Sequence, residues 1–93
     1  MDFKTKYLLA KKNGMAERFR GEEIAKEISK TVPSNDQQAL QTNMIEDLIN
    51  GVPFSHQTEW EKYQLARANA KRVIDGKIDA IEAEIKEYER CLI

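Results

Sequence analysis

One cysteine, two prolines, one histidine and four glycines are all that this 93-residue chain has of the residues that make covalent staples, metal cages and glycine-rich loops. A lone Cys91 cannot close an internal disulfide, which suits a reducing cytosol, so a cytoplasmic location is expected. His56 has no second histidine, and Cys91 lies far along the chain; zinc needs several such ligands in register. No metal or other cofactor is therefore expected. Apolar runs extend only a few residues, too short to cross a membrane, and the N-terminus lacks the apolar core of a secretory signal. Gly14 and Gly21 are not followed by Lys-Ser/Thr, which excludes a phosphate loop. Asp75-Gly76-Lys77-Ile78-Asp79 lacks the ligand spacing of a calcium loop.

Charge is abundant, 33% of residues, yet the net value is only −1. Its distribution is uneven. Residues 1–32 hold eight Lys/Arg against five Asp/Glu, and 33–58 hold only Asp36, Glu46 and Asp47. Residues 59–77 hold five basic against three acidic groups, and 78–93 hold two against five. Segregation of this kind can set the register of packed helices.

What remains is helical pattern, and it predicts an all-α fold: one domain over 1–93, a small bundle of three to four helices. The organising stretch is 58–92, a long C-terminal amphipathic helix. Thr58-Glu59-Trp60-Glu61 has capping-box spacing. Trp60, Tyr63, Ala70, Ile74, Ile78, Ile81, Ile85, Tyr88 and Leu92 recur along one side, with a heptad rhythm from Ile78 onward. Such a helix is about 50 Å long, more than a compact domain of this size spans. Either it bends at Asp75-Gly76, or its end projects and packs on another chain. The favoured expectation is an antiparallel homodimer self-associating through Ile74, Ile78, Ile81, Ile85, Tyr88 and Leu92. Lys71, Arg72 and Lys77 would then face Glu82, Glu84 and Glu87 of the second copy.

Residues 34–50 predict a central helix, with capping-box spacing at Ser34 to Gln37 and a stop at Asn50-Gly51 before Pro53. Leu40, Met44 and Leu48 form one apolar column, and Ile45, Ile49 and Val52 the next. Columns this wide predict burial at the centre of the bundle. Phe54, Trp60 and Tyr63 read best as the closure of one end of the core, against Leu40 or Met44. Residues 1–32 form a basic helical region: Ile24, Ile28 and Val32 step by four, Gly21 suggests a break, and Pro33 ends it. Residues 2–13 read as a helix capped by Asp2, or as the first strand of a hairpin turning at Asn13-Gly14; helix is favoured.

Two classes of function compete. The first is a non-enzymatic protein-interaction module that binds a partner protein by occupancy, as an adaptor or an inhibitor. Small helical chains of that type are common on phages and other mobile elements. The second is a nucleic-acid-binding accessory protein. Lys4, Lys6, Lys11, Lys12, Arg18 and Arg20 interleave with Phe3, Tyr7 and Phe19, a mixture that can grip a phosphate backbone while a ring stacks. Glu17, Glu22, Glu23 and Glu27 follow at once and weaken that case. No enzyme is expected: Glu82, Glu84, Glu87 and Glu89 read as a solvated face, and no base attends Cys91.

Overall fold

A computed structural model of the chain describes residues 1–92. It is all-α: helix α1 spans Phe3–Lys12, α2 Ala16–Thr31, α3 Ser34–Ile49 and α4 Gln57–Cys91. The molecule is a rod of 63 × 21 × 21 Å, with a radius of gyration of 18.1 Å. A compact chain of this length would have about 12 Å. The 35 residues of α4 run as one helix through Gly76, so the expected alternatives resolve to an extended helix with no break there.

The shorter helices lie in succession along α4. Near its end, α1 places Lys4 against Glu84 and Lys11 against Glu82. Helix α2 then runs back along the middle, with Arg20 gripping Asp75 through two hydrogen bonds of 2.6 and 3.0 Å. Its Ile24, Ile28 and Val32 pack into a core with Tyr63, Ala66, Ala70 and Ile74 of α4 and Leu40 of α3. Ala66 and Ala70 are small enough to let the branched chains of α2 approach closely, which is why the core can form between so few elements. Phe54 and Trp60 pack on the margin of this cluster. They stack edge-on to one another at 6.3 Å and close the core near the start of α4, as the sequence suggests.

Residues 2–13 are helical. Asp2 accepts from the Thr5 amide at 2.8 Å, and Gly14 (φ 72°) provides the left-handed exit. The Met15 amide reaches Ala10 O and the Gly14 amide Lys11 O, the paired bonds of a Schellman cap. Gly51 (φ 67°) ends α3 in the same way, with Val52 N–H on Asp47 O and Gly51 N–H on Leu48 O.

Several local expectations are corrected. Gly21 does not interrupt α2. The caps of α3 and α4 are Pro33 and His56, and neither makes a side-chain capping bond. Gln37 instead donates to Val32 O at 2.8 Å and accepts from the Tyr63 hydroxyl at 3.5 Å, so its side chain joins three helices. Ser55 is pinned by Asp47, which accepts from both its amide and its hydroxyl.

Helix α3 is not the central element. Of its residues only Leu40 is buried, while Ile45 (57% exposed), Leu48 (78%), Ile49 (77%) and Val52 (50%) face solvent. The physical reason is coverage. The first half of α3 meets α2 and α4 through Gln37 and Leu40, and no described element lies over the outer column. An apolar arc this wide needs neighbours on both sides; α2 and α4 cover only the Leu40 side.

Candidate protein-interaction surfaces

The long seam of α4 is divided between the chain's own core and solvent. Ile74 and Ile81 are buried. Ile78 packs against the core as a half-buried residue, and Ile85 is half-buried as well. Only Tyr88 (73% exposed) and Leu92 (84%) are open. Of the expected six-residue self-association face, Ile74 and Ile81 are thus covered by the chain's own packing, and Tyr88 and Leu92 are left open. A shallow groove of about 650 Å³ accompanies them, lined by Lys4, Ala80, Ala83, Glu87, Tyr88 and Cys91.

Two of the acids expected to face Lys71, Arg72 and Lys77 of a second copy, Glu82 and Glu84, are paired instead with lysines of α1 in the same chain. Lys4 binds Glu84 at 2.7 Å and Lys11 binds Glu82 at 2.8 Å. Glu82 accepts in addition from the Tyr7 hydroxyl. That carboxylate pushes the Tyr7 phenol up to about 12, helped by the burial of the ring. In return the Lys11 ammonium, and then the Tyr7 hydroxyl, hold Glu82 below the usual glutamate value of 4.5. Asp75 is likewise lowered, first by its bond to Arg20, and Asp2 by its cap to Thr5.

These shifts fix a sign. A carboxylate whose folded pKa is depressed stabilises the fold above its unfolded value, and that contribution is lost as pH falls through the folded one. The melting temperature is therefore expected to fall as the pH drops below the ordinary glutamate and aspartate values of 4.5 and 3.8 and Glu82 and Asp75 protonate. Glu82→Gln, which keeps an acceptor for Tyr7 but removes the charge facing Lys11, should flatten part of that dependence in thermal scans. An unchanged slope would mean that the α1–α4 pairs do not contribute.

The six cations proposed for nucleic-acid contact are not gathered on one free surface. Lys4, Lys11, Arg18 and Arg20 are in ion pairs with Glu84, Glu82, Glu22 and Asp75. Among the described residues only Lys6 and Lys12 of the six make none. The aromatic rings of that segment are turned inward: Tyr7 is buried, and Phe3 and Phe19 stack on each other at 5.2 Å. Each ring that would have stacked on a base is committed to packing.

Helix α3 carries what the sequence reading misplaced. Ile45, Leu48 and Ile49 lie at i, i+3 and i+4 and share one face, with Val52 just past the Schellman cap. Together they form an exposed apolar stripe of the kind that on a monomer often serves binding. Flanking side chains are Gln38, Gln41, Thr42 and Glu46. The signal was present in the sequence as two apolar columns on one helix, which is more than neighbours on one side cover.

Among the described residues no three His, Cys, Asp or Glu side chains converge as metal ligands, and no helix is long and apolar enough to cross a membrane. His56 is half-buried beside Phe54, 3.9 Å from Glu59, and Cys91 is exposed. No family model, curated protein or solved structure matches the chain.

Proposed function

We propose that this chain is a non-enzymatic protein-interaction module of the cytoplasm, acting by occupancy as an adaptor or inhibitor of a partner protein. One observation carries the reading. Among the described residues ten apolar side chains are buried, yet Ile45, Leu48, Ile49 and Val52 stay at least half exposed at one end of the rod. Bare aliphatic surface of that kind costs solubility and needs a covering partner to be useful. Self-association is retained only at the opposite end, through Tyr88 and Leu92. The antiparallel pairing loses much of its support, because Glu82 and Glu84 already face lysines of their own chain. Nucleic-acid binding ranks below protein binding, since four of its six cations are neutralised internally.

The test is a variant, Leu48→Asp with Ile49→Asp, compared with the unaltered chain as bait in an extract of the source cells. The expected result is a retained protein that is lost with this variant and kept when Lys6 and Lys12 are changed to Gln. Identical sets captured by all three baits would contradict the proposal.

A further inference from the structure

The α3 face lies in the one region of the chain from which positive charge is missing. Residues 31–61 contain Asp36, Glu46, Asp47, Glu59 and Glu61 and not a single Lys or Arg. The stripe occupies the C-terminal part of α3, where the helix dipole adds negative potential, and the last turn holds no basic residue to offset it. Glu46 flanks the stripe and Asp47 holds Ser55 beside it, whereas Asp36 and Glu59 line the α3–α4 groove that Lys62 shares. This end is therefore both greasy and anionic.

We infer that Ile45, Leu48, Ile49 and Val52 dock a basic amphipathic helix of a partner protein, an inference that rests on the interaction reading above. An aliphatic stripe at helical spacing matches the apolar face of a second helix, packed ridge into groove. Glu46 on the flank, Asp47 beside it and the negative end of the helix dipole favour lysine and arginine on that helix and steer its approach. The same field disfavours the alternatives. A second copy of this face would bring the same negative potential, and an anionic lipid surface would be repelled.

The experiment uses the full-length chain and a fluorescent synthetic peptide built of leucine and lysine in amphipathic register, read by anisotropy. Two control peptides accompany it: one with glutamate for every lysine, and one of the same Leu/Lys composition scrambled so that no helical face forms. The unaltered chain should bind the Leu/Lys peptide about tenfold or more tightly than either control. The decisive variant is Leu48→Glu, which deletes apolar surface while adding negative charge. Docking on the stripe predicts about tenfold weaker binding, with an unchanged circular-dichroism spectrum. Should Leu48→Glu bind the Leu/Lys peptide equally or better, the attraction is Coulombic alone, and the stripe fails as a docking face altogether. If the Leu/Glu peptide binds as tightly as the Leu/Lys one, the stripe docks helices but the basic partner is excluded, so only the present inference falls. Absence of binding to the Leu/Lys peptide overturns it as well.

Discussion

Replacing Ile74 by alanine is expected to destabilise the chain by about 3–4 kcal/mol, in the upper part of the range for buried isoleucines. Ile74 is 1% exposed and, among the described residues, is the one large side chain enclosed completely. It belongs to the cluster in which Ile24 and Ile28 of α2 meet α4. Rigid helices on both sides limit collapse into the void, so the cavity term adds to the lost transfer energy. A chain of this size has little to spare, since domain stabilities run from about 5 to 15 kcal/mol and small cores fall at the low end. Urea unfolding followed by circular dichroism should show the midpoint displaced to low denaturant. Val73→Ala, one residue away but 43% exposed, serves as the control. It should remain within about 0.5 kcal/mol of the parent, or gain slightly from alanine's helix propensity. A loss below 1 kcal/mol at Ile74 would place the core elsewhere.

Tyr7→Ala should detach α1 without unfolding the rest. Tyr7 is the only buried residue of α1; its ring packs on Phe19 at a centroid distance of 6.0 Å, and its hydroxyl donates to Glu82. Removing both costs about 3 kcal/mol. Ten residues cannot sustain a helix unaided, and the Lys4 and Lys11 ion pairs are solvent-screened and weak. Amides of α1 should therefore lose hydrogen-exchange protection while α2 to α4 keep theirs. Release of α1 would uncover Ile78, Ile81 and Ile85 beside Tyr88 and Leu92, restoring the heptad seam, so the solution mass should become concentration-dependent. Tyr7→Phe keeps the ring, costs about 1 kcal/mol, and should behave as the parent does. Retained α1 protection in Tyr7→Ala, or a strict monomer once α1 has detached, would contradict this account of what covers α4.

The helices were legible in the sequence where periodicity and punctuation agreed. Asn13-Gly14 and Asn50-Gly51 end α1 and α3 as left-handed exits, and Ile24, Ile28 and Val32 mark the buried face of α2. Heptad spacing on α4 correctly identifies a packing seam, but spacing says nothing about whose helix fills it. The answer lay in charge. A basic beginning and an acidic end within one chain can pair with each other, and Lys4 and Lys11 do so with Glu84 and Glu82. Capping boxes at Ser34 and Thr58 failed because other contacts recruited their residues: Gln37 bridges α3 to Val32 and to Tyr63 of α4, and Glu61 accepts from Gln57 within α4 at 3.4 Å. The largest misreading concerns α3. Apolar columns measure what a helix could bury, and only the assembled neighbours decide what it does bury.

That distinction is measurable on one variant. The unfolding free energy of the Leu48→Asp, Ile49→Asp chain compares two carboxylates placed on the outer α3 face with the parent. The account predicts a difference within about 1 kcal/mol for such surface substitutions. A loss of several kcal/mol would mean that this face is interior, and would leave no bare stripe for a partner to cover.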